Sequence, residues 1–262
     1  MARYAWFLLL ILPFLSLPGS SQREHQQESV QPLQTWNPEN LAWSTVLIWA
    51  ERPQGLTLTS GVLIDKARRW VLCTRHALEN TAVGGSPSAI IDNFFVVWPD
   101  GTGQGREVHT GSDHYFQLKR KGALPRARFI KQDVSRDLVL LEAGNAPPAN
   151  SQAVSLYQHR IEPGTRLLGV AQPFSRGGLW HPFTATVNAA AFRKLSYAQG
   201  GSEVSLFLAS AEQPVDFGYS GSPLVLPHNG QLAGLLLAAQ LDQPFSFALI
   251  SSQEIQRFLS IE

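Results

Sequence analysis

The sequence is poor in cysteine: Cys73 is the single one among 262 residues. One thiol cannot form an internal disulfide, and it excludes zinc sites built from several cysteines. Charge is also scarce, since 16% of residues are charged and the formal net charge is +1. This composition gives no reason to predict nucleic acid or an anionic membrane surface as the main partner. We expect neither a metal nor a cofactor, and the sequence carries no sign of an oligomeric state.

The sequence also lacks an N-terminal apolar run long enough for a comfortable membrane span, which needs ~20 residues. The run at residues 4–17 follows Arg3 and precedes small residues at 18–21, a pattern typical of a secretory signal peptide. We therefore predict a signal peptide at residues 1–21, or else an uncleaved anchor that would bring the chain to a membrane. Either way, the rest of the chain is expected to be secreted or periplasmic.

A flexible leader is expected over residues 22–38, which are rich in Gln, Glu, Ser and Pro and have no apolar period. Beyond it the chain is rich in short segments of β-branched and aromatic residues, bounded by turn residues. The proline-containing stretch 144–150 divides them into two halves of similar texture. Many short strands with turns between them predict an all-β barrel or sandwich.

Two regions differ from this β texture. Residues 102–125 are polar and basic, and we interpret them as a long loop or an inserted hairpin with Lys119–Lys121 in solvent. A helical pattern is clear only at the C-terminus, where Ser251 and Glu254 have the spacing of a capping box before an apolar stripe.

Ser220 is the first candidate for chemistry, because it is flanked by Gly218-Tyr219 and Gly221-Ser222. Glycine reaches backbone angles that strain other residues, so this serine is expected on a tight turn. A hydroxyl on a bend with backbone N–H groups beside it suits acyl transfer, which needs a nucleophile and donors for the oxyanion. The alternative is an ordinary turn before the apolar strand that follows.

His76 and Asp137 are the candidates for a base and an orienting acid. His76 ends an apolar strand, although it is one of seven histidines and a structural role is the alternative. Asp137 directly precedes an apolar strand, where an unpaired carboxylate would be costly to bury. Asp133 competes with it, and a turn cap is the other explanation for either acid.

The three candidates are most informative together. Their order along the chain is His, Asp, Ser, one of the three known linear orders of the catalytic triad. Serine is a weak nucleophile until a neutral imidazole takes its proton, and a buried carboxylate holds that imidazole in the required tautomer.

At these motifs the sequence resembles the trypsin-like serine proteases, most closely the bacterial HtrA (Deg) type. Residues 218–225 resemble the family's Gly-Asn-Ser-Gly-Gly-Pro-Leu-Val, and residues 135–141 resemble its Ser-x-Asp-Leu-Ala-Val-Leu. Further similar segments occur in family order at residues 59–65, 70–76, 96–101, 172–174 and 245–251.

The resemblance implies a protease domain over residues 39–262, made of two six-stranded antiparallel β-barrels. The first barrel would span about residues 39–145 and the second about 151–250, with a short C-terminal helix at 251–260. No PDZ domain is expected after that helix, although many HtrA proteins carry one.

The resemblance also implies a function, that of a serine endopeptidase acting on extended or unfolded polypeptides. Ser220 would be the nucleophile, His76 the general base and acid, and Asp137 the orienting group. The backbone N–H groups of Gly218 and Ser220 would form the oxyanion hole. Substrate would bind as an added strand, and the residues expected to contact it are Leu236, Leu237 and Ala238.

Three residues depart from the family pattern. Cys73 replaces a residue that is often Thr or Ser, Arg75 places a charge before the histidine, and Ser222 replaces a glycine. Two other functions fit the same motifs: a catalytically silent domain that binds peptides or proteins, and an acyl hydrolase that does not cleave proteins. A nucleophilic role for Cys73 is disfavoured, because its side chain diverges from that of His76 along the same strand.

Overall fold

The computed structural model describes most of the chain downstream of the N-terminal segment. The predicted signal peptide at 1–21 and all but the last residues of the predicted leader fall outside it, as does Phe174. Within the described residues, no helix combines the length and the apolar character that crossing a membrane requires. The described residues are 36–52, 55–79, 90–102, 107–173, 178–193, 204–240 and 243–261.

The first half of the chain forms a six-stranded antiparallel sheet that curls into a half-barrel. Its strands are β1 Thr45–Arg52, β2 Gly55–Asp65, β3 Trp70–Thr74, β4 Phe94–Val97, β7 Arg128–Asp133 and β8 Leu138–Glu142, and a separate small pair is β5 Gly101–Thr102 with β6 Glu107–Val108. They are arranged in the order β4-β1-β2-β3-β8-β7. An isolated bridge between Phe95 and Arg126 connects the two edge regions.

The second half forms a closed barrel of six strands. These are β9 Arg166–Ala171, β10 His181–Arg193, β11 Val204–Ala211, β12 Pro223–Val225, β13 Leu232–Gln240 and β14 Gln243–Ser251. The order around the barrel is β10-β11-β14-β13-β12-β9. Each half has its own apolar interior, and a third buried cluster, which includes Leu72, Leu138 and Leu235, joins strands of both halves.

The all-β class and the two six-stranded units are confirmed, with one difference. The second unit closes through continuous strand pairing. In the first unit, the described residues join the two edges only through the Phe95–Arg126 bridge and the nearby bond from Ala127 N to Phe94 O (3.1 Å).

Helices were predicted less well than strands. The C-terminal helix α3, Ser252–Ser260, begins as predicted, with the Ser251 hydroxyl accepting from Glu254 N. The short helix α1, Pro38–Ser44, was not predicted, although Asn37 caps it and a proline opens it. The interpretation of residues 102–125 as a loop or hairpin was wrong in part, because α2 occupies Ser112–Arg120.

Helix α2 is held by contacts that the sequence could not indicate. Lys119 forms an ion pair with Glu51 (2.8 Å) and lies over the ring of Phe95 (4.3 Å), so it is not simply a solvated loop residue. One turn earlier in the helix, the buried Tyr115 ring packs against Trp180, with 4.7 Å between centroids. These contacts attach the inserted helix to both halves of the fold.

Candidate active site

The structure brings His76, Asp137 and Ser220 together from three separate turns. His76 lies on a 3-10 turn, Arg75–Leu78, that follows β3. Asp137 ends the turn between β7 and β8, and Ser220 lies in the turn that leads into β12. His76 and Asp137 come from the first half of the fold and Ser220 from the second, so the site forms where the halves meet.

The three side chains form a continuous hydrogen-bonded chain. Oδ2 of Asp137 lies 2.6 Å from Nδ1 of His76, and Nε2 of His76 lies 3.2 Å from Oγ of Ser220. The second carboxylate oxygen of Asp137 accepts from the backbone N–H of His76 at 2.8 Å. A carboxylate at Nδ1 selects the tautomer with its proton on that nitrogen, which leaves Nε2 to accept the serine proton.

Asp137, and not Asp133, is the acid that contacts the imidazole. Asp137 is fully buried and has a φ of +55°, in the left-handed region, where its carbonyl accepts from Arg75 N at 2.9 Å. Asp133 instead accepts from the backbone and guanidinium of Arg136, at 3.0 and 2.5 Å. The sequence left two explanations open for each acid, a turn cap or an orienting acid. In the structure Asp133 stabilises the turn and Asp137 faces the histidine.

The surroundings of His76 make its imidazole a stronger base than a free histidine. Burial alone would lower the pKa of His76, but the carboxylates of Asp137 and Glu79 outweigh burial and raise the pKa above its ordinary value. Its side chain remains 27% exposed, so solvent and substrate can reach the ring. Arg52 fixes the turn by donating to the carbonyls of His76 (3.2 Å) and Ala77 (2.8 Å).

Two glycines shape the turn around Ser220. Gly218 has a φ of +95° and Gly221 a φ of +77°, angles that disfavour any side chain. A Cβ on Gly218 would lie 2.0 Å from the carbonyl oxygen of Gln172, and one on Gly221 would lie 2.0 Å from that of Ser60. Both positions therefore require glycine for space as well as for backbone angle.

The same turn leaves two backbone donors without partners. Across the part of the chain that the structure describes, neither Gly218 N–H nor Ser220 N–H donates a hydrogen bond. The carbonyl of Tyr219 accepts from Ser222 N at 3.0 Å. Because C=O and N–H of a trans peptide point in opposite directions, this bond directs Ser220 N–H away from the body of the turn. Such a pair of donors suits an oxyanion.

Hydroxyl groups from the first half hold this turn, and the sequence did not indicate them. The Ser220 carbonyl accepts from Thr59 Oγ1 (2.6 Å) and from Ser60 N (2.9 Å). Ser60 Oγ donates to the carbonyl of Gly218 at 2.8 Å. Buried hydroxyls on an otherwise apolar strand were a usable signal, but a single sequence does not show which carbonyl they meet.

The predicted substrate contacts lie on β13, beside the nucleophile. The side chains of Leu236 and Leu237 are buried and that of Ala238 is exposed. The Leu237 carbonyl accepts from Ser220 Oγ at 3.2 Å. Strand β12 pairs with β13 only as far as Leu235, so among the described residues the following stretch of β13 has no strand partner on that edge.

The departures at Cys73 and Arg75 both point into the protein interior. Cys73 is fully buried in the core of the first half, and burial together with the Asp137 charge raises the pKa of its thiol. Arg75 is also fully buried, where it forms an ion pair with Glu79 and donates from Nε to Gln132 at 2.7 Å. Neither residue contacts the hydroxyl of Ser220 in the described structure.

Comparison with known proteins identifies the fold. The Rv3671c protease of M. tuberculosis, in its active form, superposes with a TM-score of 0.62 at 17% identity, covering 92% of this chain and 93% of that one. The HtrA-type protease AlgW, bearing a substitution and bound to a tripeptide, gives 0.59 at 17% identity, covering 86% of this chain and 62% of its own. No family model and no curated protein matches the sequence. The chain thus has the chymotrypsin-like fold that these proteases share.

Proposed function

We propose that this chain, which folds as trypsin-like serine proteases do, is a serine endopeptidase. The observation that carries the proposal is the continuous series Asp137–His76–Ser220, with heavy-atom separations of 2.6 and 3.2 Å. All three residue types needed for acyl transfer are present in the order in which a proton would move between them.

In this proposal Ser220 Oγ attacks the carbonyl carbon of the scissile bond while His76 Nε2 takes its proton. Asp137 does not become protonated, and its charge stabilises the imidazolium that forms. His76 then returns the proton to the leaving amine, and an acyl-enzyme on Ser220 remains. Water, deprotonated by the same imidazole, releases the acid product.

The backbone N–H groups of Gly218 and Ser220 would bind the oxyanion of the tetrahedral intermediate. Their lack of partners among the described residues supports this role. Preorganised donors of this kind need no rearrangement when charge develops, and removing one typically costs about 10²–10³ in kcat.

The substrate would be an extended polypeptide lying along β13. The backbone of Leu236 bonds to Ser222 and Gly221, and beyond Leu236 the described part of β13 has no strand partner on that edge, which supports strand addition there. The Leu237 carbonyl lies within reach of the attacking oxygen. Phe217, immediately before the oxyanion glycine, is 83% exposed. An exposed aromatic at that position favours apolar or uncharged side chains near the scissile bond.

Unfolded proteins present such segments, whereas folded proteins bury them. We therefore propose unfolded polypeptides as the substrate class, and a secreted or periplasmic location on the strength of the N-terminal segment. A silent peptide-binding domain remains the alternative function, since the same cleft would bind a strand without cutting it.

A fluorophosphonate probe tests the proposal, because it phosphonylates an activated serine, with loss of fluoride. We expect labelling of the wild type, loss of labelling in Ser220→Ala and His76→Ala, and cleavage of reduced, unfolded casein. Absence of labelling in a folded wild type would support the silent binding domain. Turnover of small esters with no cleavage of unfolded protein would indicate an acyl hydrolase.

A further inference from the structure

Ser60 has a hydroxyl whose hydrogen-bonding capacity is completely used. It is fully buried on β2, accepts from the backbone N–H of Gln172 (3.1 Å) and from the hydroxyl of Ser222 (3.1 Å), and donates to the carbonyl of Gly218 (2.8 Å). A serine hydroxyl has one hydrogen and two lone pairs. With both lone pairs engaged, its hydrogen has a single destination, the Gly218 carbonyl.

Ser222 is what makes this arrangement unique. Its own hydroxyl is fully buried and lies 3.1 Å from that of Ser60. If Ser60 donated to Ser222 instead, the buried Gly218 carbonyl would lose its donor, and a buried acceptor without a donor is unfavourable. The hydroxyl of Ser222 therefore serves as a donor, and it sets the direction of the hydrogen on Ser60.

The Gly218 carbonyl belongs to a peptide plane that is held from both ends. Ser60 donates to the oxygen of this peptide. The N–H of the same peptide belongs to Tyr219 and donates to the carbonyl of Asp216 at 3.3 Å. The Cα of Gly218 is packed so closely against the Gln172 carbonyl that no Cβ fits there. Once this plane and this Cα are fixed, little freedom is left for the N–H of Gly218 itself.

We infer that Ser60 and Ser222 are positioning residues that hold the N–H of Gly218 in place as an oxyanion donor. The inference rests on the proposed function, and it assigns a role to the serine that replaces the family's glycine at position 222. Ser60 acts directly on the Gly218 carbonyl. Ser222 acts indirectly, because it hydrogen-bonds to the hydroxyl of Ser60 and not to the Gly218 carbonyl itself.

We call the hydrogen bonds from Ser222 to Ser60 and from Ser60 to the Gly218 carbonyl the relay. The relay should stabilise the transition state without affecting the binding of substrate in the ground state. The hydroxyls of Ser60 and Ser222 are buried beneath the turn, so neither is available to a bound peptide. An oxyanion donor is needed only when the carbonyl oxygen becomes charged. Loss of the relay should accordingly lower kcat while the affinity for substrate stays unchanged.

The test compares Ser60→Ala, Ser222→Ala and a control, Ser44→Ala. Ser44 is also a buried serine whose hydroxyl donates to a backbone carbonyl (Asn40 O, 3.3 Å), but it lies in α1. The probe is a synthetic peptide that reproduces a casein segment cleaved by the wild type. It includes the residues on both sides of the scissile bond. Its kcat and KM are measured with each variant, and its Kd is measured in the Ser220→Ala background.

We expect Ser60→Ala to lower kcat by about 10- to 100-fold, less than the loss of a whole donor. Ser222→Ala should lower kcat by about 3- to 10-fold, while KM, the Kd in the inactive background and all constants of Ser44→Ala change by less than about 2-fold. If Ser60→Ala fails to fold, Ser222→Ala carries the same test, because the Ser222 hydroxyl bonds only to the hydroxyl of Ser60 in this series and not to the Gly218 carbonyl itself.

Several outcomes would overturn the inference. One is an active wild type whose kcat is unaffected by either substitution, and another is a fall in peptide affinity that matches the fall in kcat. A crystal structure of Ser60→Ala with the Gly218–Tyr219 peptide unmoved would overturn it independently of kinetics. An inactive wild type would instead reject the proposed function, and the inference with it.

Discussion

Nδ1 of His76 lies 2.6 Å from Oδ2 of Asp137, and the backbone N–H of the same histidine donates to the other carboxylate oxygen at 2.8 Å. One buried carboxylate thus holds both the ring and the main chain of the residue it orients. Rotation of the ring and displacement of the turn are restrained together, which keeps Nε2 directed at Ser220.

The first prediction concerns pH. The proposed base works as the neutral imidazole, and the pKa of His76 is raised because the nearby carboxylates outweigh its burial. Activity should therefore fall as pH drops through a midpoint above the ordinary histidine value of about 6.5. The measurement is kcat/KM against pH with an uncharged peptide substrate.

The pH prediction has a paired variant and a control. Asp137→Asn removes the charge that raises the pKa, so the acid limb should move to lower pH while kcat falls by about 10⁴, since the wrong tautomer is then favoured. Asp65→Asn, at the end of β2, should leave the profile unchanged. A wild-type midpoint below 6 would contradict the proposed electrostatics.

The second prediction concerns Gly218, where a side chain is disfavoured both by the positive φ and by the lack of space for a Cβ. Gly218→Ala places a Cβ 2.0 Å from a backbone oxygen, and Gly164→Ala meets nothing within 4 Å, although both glycines have positive φ (+95° and +86°). Gly164→Ala should cost about 1–2 kcal/mol of unfolding free energy from backbone strain alone. Gly218→Ala should cost more and lower kcat by at least about 10², through the displaced donor.

Urea unfolding and fluorophosphonate labelling check this pair. Gly164→Ala should label at the wild-type rate. Equal labelling rates for both variants would show that Gly218 is not part of the oxyanion hole.

The third prediction concerns Cys73. The thiol is fully buried and its pKa is raised by burial and by Asp137, so it is neither accessible nor ionised at neutral pH. Cys73→Ala should keep fluorophosphonate labelling and lose roughly 1 kcal/mol of stability from the small cavity. Native protein should resist iodoacetamide until it is unfolded. Loss of labelling in a folded Cys73→Ala protein would count against the serine mechanism.

The fourth prediction concerns Glu254, which ties α3 to the turn that carries Asp137. Its side chain is 1% exposed and pairs with Arg136 (2.9 Å) and Arg257 (2.5 Å). Glu254→Ala leaves Arg136 without this partner and should cost about 3 kcal/mol of unfolding free energy. Arg257→Ala should cost less than about 1 kcal/mol, because that guanidinium is 64% exposed. Chemical denaturation of both variants measures the difference, and equal costs would refute it.

The strands and the candidate triad could be predicted from sequence because each leaves a local signal. Short β-branched runs with turns between them indicated the strands of both halves, and the glycines around Ser220 indicated a strained turn. The order of His76, Asp137 and Ser220 along the chain added information that none of the three carries alone.

What the sequence could not indicate depends on contacts between distant segments. Helix α2 is short and polar, so its Tyr115–Trp180 and Lys119–Glu51 contacts stabilise it more than any local propensity does. The sequence shows Arg75 only as a charge before the histidine, and its burial and its ion pair with Glu79 become visible only in the structure. Helix α1 was missed despite a recognisable Asn-Pro start.

The bonds from Thr59 and Ser60 to the Ser220 carbonyl determine when, during folding, the chain can become active. The turn that carries the nucleophile belongs to one half of the molecule, and the groups that shape it belong to the other. Neither half alone contains a complete site, so peptidase activity should begin only after the two halves have docked. A nascent copy is the kind of extended substrate we propose, so activity that begins only after docking would keep each molecule from digesting itself during its own synthesis.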